Sequence, residues 1–227
     1  MIVYSMSPEE IRQQLEEKWK KKGPWLKDCK NDFRRIVRKT VDSNFPIDKI
    51  YERCNKDGLS FFVHYFALSK RNADNPISTF YCIFDLSEGK YAASVSYNGI
   101  MHLYPPHFFS RYRERIIKRD ELSTLDLIKY FFAHNEGGCM ITQINVDYES
   151  IPMKYDEFIH GEHINVAGVN DYGYIFGEIN GKMQIMKTII SKDMIYDNQR
   201  DLFRNLDQQY AEYLKRQNTL LERGLCV

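Results

Sequence analysis

The sequence predicts an α+β protein in which an antiparallel β-meander sheet is flanked by helices. Three observations support this class: helical spacing of apolar residues near the N-terminus, strand-like segments over residues 59–104, and an amphipathic helix near the C-terminus. Aromatic residues make up 14% of the chain, mostly Tyr and Phe, which favour strands and bury large areas. We expect one globular unit, with a basic helical pair (residues 1–45) packed on an α+β core (residues 46–227).

The N-terminal helical pair follows from a start signal and a break. The motif SPEE at residues 7–10 predicts a capped first turn, and apolar residues then recur at helical spacing to about residue 22. Gly23-Pro24 separates this helix from a second one, predicted over residues 25–40. Between Lys18 and Lys39 there are ten Lys/Arg and two Asp, a local charge of +8 in a chain of net charge +1. Such a segment favours a polyanion contact or an intramolecular clamp, and two solvated helix faces are the alternative.

The central segments change to strand periodicity. Runs of aromatic and β-branched residues alternate with turn signals and predict a meander of four strands, at 59–68, 78–86, 90–97 and 100–104. Segment 48–56 is predicted as a short helical turn. Further along, helices are predicted at 107–118, 123–134 and 193–217, strands at 139–146, 164–169, 172–179 and 182–190, and an irregular loop at 148–162.

The composition disfavours membrane and secreted proteins. No run of about 18 apolar residues is present, so no transmembrane helix is predicted. The first ten residues lack the basic and apolar regions of a secretory signal. The five cysteines are odd in number and contain no CxxC pair, which indicates reduced thiols and not a disulfide framework or a zinc knuckle. We therefore expect a cytoplasmic protein with no membrane contact.

A row of basic residues lies in the segment YPPHFFSRYRERI. His107, Arg111 and Arg115 recur every four residues, so on a helix they share one face with a drift of about 40° per step. Arginines four residues apart repel by a few tenths of a kcal/mol, which suggests that an external anion or an acidic neighbour compensates them. Free backbone N–H groups at the start of the helix also favour an anion near His107.

This environment makes His107 a candidate general base. The charge of Arg111 and the helix N-terminus both disfavour imidazolium, so we expect the pKa of His107 to lie below that of a free histidine. A neutral imidazole at neutral pH can accept a proton. The alternative is structural: the arginines pair with acidic residues such as Asp120 and Glu121, and His107 caps its helix.

The stretch PHFFSRYRERI, the following STLDLIKYFFAH and the later hairpin YGYIFGEINGKMQIMKTIIS carry a family resemblance. They are similar to the H-x3-R-x3-R helix, the next helix and the late strands of toxin-like proteins in the barnase–EndoU–colicin–RelE-like superfold of metal-independent ribonucleases. The resemblance covers about residues 100–195. It implies cleavage of RNA by transesterification, in which the 2′-oxygen attacks the adjacent phosphorus and a cyclic phosphate forms.

The resemblance also implies roles for individual residues. His107 would be the general base or acid, Arg111 and Lys187 would stabilise the charged phosphorane, and Thr188 would donate to a phosphate oxygen. Arg115 would hold a neighbouring phosphate and Tyr172 would stack on a base, and Tyr112 would also belong to the substrate-binding residues.

A metal site is the main competing interpretation of a histidine motif. In HGEH, His160 and His163 lie three residues apart with Glu162 between them, but Gly161 disfavours the helix that would bring both imidazoles to one ion. A polar loop is the simpler interpretation, and we predict neither a metal nor a cofactor. Two alternatives to the ribonuclease remain: a non-catalytic module that binds nucleic acid or a protein partner, and a structural protein of mobile-element or phage type.

Overall fold

The computed structural model describes residues 2–3, 5–96, 99–134, 140–143, 164–195 and 200–222. The protein is α+β. Its helices are α1 (Pro8–Lys20), α2 (Gly23–Lys39), α3 (Pro106–Tyr112), α4 (Thr124–His134) and α5 (Arg200–Glu222). Its strands are β1 (Ile47–Cys54), β2 (Ser60–Ala67), β3 (Ile77–Leu86), β4 (Gly89–Val95), β5 (Met101–Tyr104), β6 (Met140–Gln143), β7 (Ile164–Val169), β8 (Gly173–Asn180) and β9 (Met183–Ser191).

The described strands form one sheet in the order β1-β2-β3-β4-β5-β9-β8-β7-β6. The predicted antiparallel meander is present as β1–β5, and β6–β9 form a second one. The two meanders meet where β5 and β9 pair in parallel. The sheet is therefore mostly antiparallel but mixed, which the prediction of a single antiparallel meander missed.

Two local predictions were wrong. Segment 48–56 is not a helical turn but most of strand β1, which pairs with β2 from Ile47 opposite Ala67 to Cys54 opposite Ser60. The mixed polar and apolar residues of this segment gave a weak signal for a strand, and its conformation is decided by pairing with the strongly apolar strand β2. The last helix begins at Arg200, and a 3₁₀ turn at Lys192–Met194 lies near the start of the predicted helix.

The two faces of the sheet carry different helices. Directly opposed residues of neighbouring strands share a face, so the register divides the core side chains into two sets. One face, which includes Phe62 and Met186, packs against α3 and α4; we call it the α3–α4 face. The opposite face, which includes Phe61, Val63 and Phe176, packs against α1, α2 and α5.

The start of α1 agrees with its sequence signal. The Ser7 side chain accepts from the backbone N–H of Glu10, and the Glu10 carboxylate accepts from the backbone N–H of Ser7. Ile11 and Leu15 then bury fully in the core. Among the helices that the structure describes, none combines the length and the hydropathy needed to cross a bilayer.

Candidate functional site

The predicted site lies where α3 continues from β5 beside β9. Strand β5 pairs with β9 only as far as Leu103, opposite Ile185. The chain then turns at Pro105-Pro106 into α3, which packs against the Met186 and Ile189 side chains of β9. Backbone groups of β9 beyond Ile185 no longer face a strand on this side, so they need other hydrogen-bond partners. We call this region the α3–β9 junction.

His107 supplies one of those partners. Its imidazole is hydrogen-bonded to the backbone of Lys187, and because this bond raises the pKa of His107 the backbone group is an acceptor, the carbonyl oxygen. The imidazole therefore donates to Lys187, which fixes the orientation and the tautomer of the ring. The ring does not serve as a conventional helix cap.

The pKa of His107 is lowered, as the sequence predicted. Partial burial of the ring is the largest cause, and the positive charges of Arg111 and Lys187 act in the same direction. The effect of Arg111 follows from the spacing of the row, whereas the burial of the ring depends on the fold. His107 is thus a neutral, oriented imidazole near neutral pH.

The two arginines of the row have different environments. Arg111 lies 2.6 Å from Glu114, and both side chains are well exposed, at 43% and 59%. Exposed pairs of this kind contribute about 0–1 kcal/mol, so Glu114 holds Arg111 weakly. Arg115 Nη1 donates to the carbonyl oxygen of Ile189 at 3.2 Å and lies 3.4 Å from Thr188 Oγ1. Arg115 therefore donates a hydrogen bond to a backbone carbonyl on the unpaired edge of β9, as His107 does.

A π-helical segment, Arg113–Ile117, follows α3 directly. The Lys118 N–H donates to the carbonyl oxygen of Arg113 at 2.8 Å, and Lys118 ends the segment in the left-handed region with φ 53°. A π turn contains an extra residue, so Arg115 does not follow the register of a continuous α-helix. The predicted helix over 107–118 was correct in position but not in its winding.

Strand β9 has a β-bulge at Lys187. Phe176 faces Thr188, whereas Gly177 faces Met186, so Lys187 is the extra residue. A Cβ atom at Gly177 would collide with the carbonyl oxygen of Ile185, so glycine is required beside the bulge. A lone glycine in a strand pattern indicates a bulge or a close approach of the backbone, and Gly177 has both. Bulges re-aim side chains and are common beside functional sites.

The Lys187 ammonium forms a buried ion pair, although its charge still acts on the pKa of His107. Lys187 Nζ lies 2.8 Å from Glu178 Oε2, and the two side chains are 14% and 3% exposed. Glu178 is opposite Ile185, which packs in the cluster that contains α1 residues. The ammonium group therefore serves a buried ion pair on the opposite face, while the Lys187 backbone contacts His107.

The ion-pair partner of Lys187, Glu178, was not predicted from the sequence. Within YGYIFGEI it is the one carboxylate in an otherwise apolar and aromatic strand. A buried charge requires a partner, and Lys187 is the cation of the adjacent strand in the same hairpin. The ion pair between Glu178 and Lys187 could therefore have been predicted from the sequence.

The two predicted tyrosines differ in exposure. Tyr112 is 0% exposed and its ring packs edge-on to Phe131, so no face of it is open to a nucleobase. Tyr172 is half-buried, and its ring centroid lies 6.3 Å from that of Tyr112. The junction thus brings together His107, Arg111, Arg115 and Thr188, with Tyr172 nearby. The Lys187 side chain is engaged with Glu178, and Tyr112 lies inside the core.

The basic segment of α2 forms a separate surface on the opposite face of the sheet. Lys27, Lys30, Arg34 and Arg38 recur at helical spacing on the outer side of α2; we call them the α2 basic face. Arg34 and Arg38 share Asp74, at 2.6 and 3.2 Å. Within the described residues, no ion pair involves Lys27 or Lys30.

Other lysines of this region make intramolecular contacts, as the clamp interpretation of the basic segment predicts. Lys18 pairs with Asp57, and Lys22 donates to Asn55 at 2.6 Å, which ties the α1–α2 region to the turn between β1 and β2. The +8 segment is therefore partly neutralised within the molecule and partly presented to solvent.

No metal-binding group of three or more His, Cys, Asp or Glu is found in the parts of the chain that the structure describes. The HGEH motif at residues 160–163 lies outside those residues. Comparison of the chain with protein-family models, curated proteins and solved structures gives no match. The resemblance to metal-independent ribonucleases therefore stays a prediction.

Proposed function

We propose that the protein binds RNA through the α3–β9 junction. The observation that supports this proposal best is the arrangement of two arginines and a neutral histidine at a partly exposed surface. His107 and Arg115 are anchored on the edge of β9, and Arg111 lies between them in the row, held by a well-exposed glutamate. A phosphate can displace Glu114 at low cost and accept two parallel hydrogen bonds from the guanidinium of Arg111.

Net charge at the junction favours an anionic ligand. Within the described residues, Arg111 pairs with the exposed Glu114, Arg115 contacts neutral oxygens of β9, and Lys187 is paired with Glu178. The exposed Glu88 has the smallest of the effects on the pKa of His107. Burial lowers the pKa of Arg115, and the positive charge of Arg111 adds to this effect, so an added negative charge would offset the repulsion between the two arginines. An RNA backbone supplies such charges at regular spacing.

Metal-independent cleavage of the bound RNA is the second candidate function, and His107 favours it. A neutral, oriented imidazole can take the proton of a 2′-hydroxyl. The 2′-oxygen then forms a bond to phosphorus, the bond to the 5′-oxygen breaks, and the leaving oxygen takes a proton from solvent. Arg111 would stabilise the phosphorane, whereas Lys187 would have to leave Glu178 before it could take part.

The test combines affinity and cleavage on single-stranded RNA in EDTA. We expect wild-type protein to bind the RNA and Arg111→Ala to weaken binding five- to tenfold, the loss of about one phosphate contact. Arg204→Ala is the matched control, because Arg204 is exposed and pairs with an acid three residues away on α5. Equal effects of the two substitutions, or no binding by wild type, would refute the proposal.

Cleavage is judged by its products. If His107 is a general base, wild-type protein yields cyclic-phosphate ends, and His107→Ala abolishes them while RNA affinity changes little. Binding without any cleavage would leave the binding module as the function. The α2 basic face is a second polyanion-binding candidate, and its Lys27→Ala/Lys30→Ala variant tests it in the same assay.

A further inference from the structure

A stacked group of side chains lies on α4 and the loop before it. The rings of Tyr130 and His134, one helical turn apart, are nearly parallel with centroids 3.8 Å apart. The guanidinium of Arg119 lies over the Tyr130 ring, 5.8 Å from its centroid. We call Arg119, Tyr130 and His134 the stacking patch.

The patch is held in place by the helix and is open to solvent. His134 Nδ1 is 2.9 Å from the carbonyl oxygen of Tyr130, which orients the imidazole along the helix end. His134 and Arg119 are exposed and Tyr130 is half-buried. Tyr130 covers one face of the imidazole, and His134 is nevertheless exposed.

The patch adjoins the α3–β9 junction. Tyr112 of α3 packs edge-on to Phe131, the neighbour of Tyr130 on α4, with 5.1 Å between the ring centroids, and the Tyr172 ring lies 6.3 Å from Tyr112. Ile116, beside Arg115, would contact a Cβ atom at Gly173, the neighbour of Tyr172. Tyr172 thus lies near the Arg115 end of the row, and Tyr112 connects that end to the helix that carries the stacking patch.

We propose that the stacking patch binds an unpaired base of RNA whose phosphates contact Arg111 and Arg115. This inference rests on the proposed RNA binding and specifies a single-stranded substrate. Bases stack on Tyr, His and Arg planes in single-stranded recognition, where a basic surface tracks the adjacent backbone. A role in helix stability accounts for the contact between Tyr130 and His134, but it does not require an arginine over the ring or an exposed imidazole.

The experiment uses single-stranded RNA that carries 2-aminopurine, whose fluorescence is quenched when the base stacks. We expect wild-type protein to quench it on binding, and His134→Ala to lose the quench and at least fivefold of affinity. His134→Phe restores a planar ring, so it should keep both within about twofold. Tyr213→Ala is the control, because it removes one ring of a stacked pair on α5.

The outcomes separate the two proposals. If wild-type protein binds RNA and His134→Ala matches it in affinity and quench, the stacking inference is wrong while RNA binding stands. A loss in both His134→Ala and His134→Phe would also overturn the inference, because the role of the ring would not be stacking. If wild-type protein does not bind RNA at all, the proposed function fails and the inference fails with it.

Discussion

The buried ion pair between Lys187 and Glu178 gives a prediction whose size follows from exposure. Glu178 is 3% exposed and Lys187 is 14% exposed, with 2.8 Å between Nζ and Oε2. Removing one partner of a buried pair costs about 3–5 kcal/mol, because the other charge is left in a poorly solvated position. Lys187→Met leaves the more buried group alone, so we expect a cost of about 3 kcal/mol. Glu178→Leu should cost less, because the long lysine side chain can move its ammonium toward water.

The assay is a double-mutant cycle by urea denaturation. Glu178→Leu/Lys187→Met removes both charges and keeps the volume, so it should unfold within about 1 kcal/mol of wild type. The cost for Lys187→Met corresponds to a fall in Tm of about 10 °C in a chain of this length. If the two single substitutions are additive in the double variant, the two groups do not interact as described. A cost below about 1 kcal/mol for Lys187→Met would also refute the reasoning.

Three further predictions concern stability. Burial lowers the pKa of His102 from 6.5 to about 4, so the unfolded chain binds more protons than the folded chain between these pH values. The free energy of unfolding should therefore fall by about 2 kcal/mol from pH 7 to pH 5. His102→Gln should reduce this fall, as measured by urea titrations at the two pH values. Gly177→Ala should cost about 1–3 kcal/mol because its Cβ meets the Ile185 carbonyl, whereas Gly23→Ala, with no neighbour within 4 Å, should be nearly neutral in the same melts. Ser7→Ala removes the α1 cap and should cost about 1 kcal/mol by thermal unfolding, while an unchanged Tm would contradict the role of the capping box.

Elements with strong local signals were predictable. Strand β7 matches the predicted bounds at 164–169, and α3 begins at the double proline, because turn and cap residues act over a few positions. The glycine at Gly177 also carried its meaning in the sequence, since a lone glycine in a strand indicates a bulge or a close approach.

The missed features depend on partners distant in sequence. Strand β1 is defined by pairing with β2, and the parallel pair of β5 and β9 joins Met101 to Met183 across the intervening helices. The π winding of Arg113–Ile117 and the direction of Lys187 are set by packing on β9 and by Glu178. No local propensity specifies these features, so the basic row was predicted but its anchoring on the strand edge was not.

The proposal that RNA binds at the α3–β9 junction is best tested by locating the bound RNA on the protein. RNA containing 4-thiouridine can be cross-linked to the full-length protein, and the modified peptides can be mapped by mass spectrometry. Binding at the α3–β9 junction predicts cross-links within residues 106–119 and 183–191, and a base on the stacking patch adds cross-links within α4, residues 124–134. Cross-links confined to α2, residues 23–39, or the absence of any cross-link under conditions of saturating RNA, would contradict it.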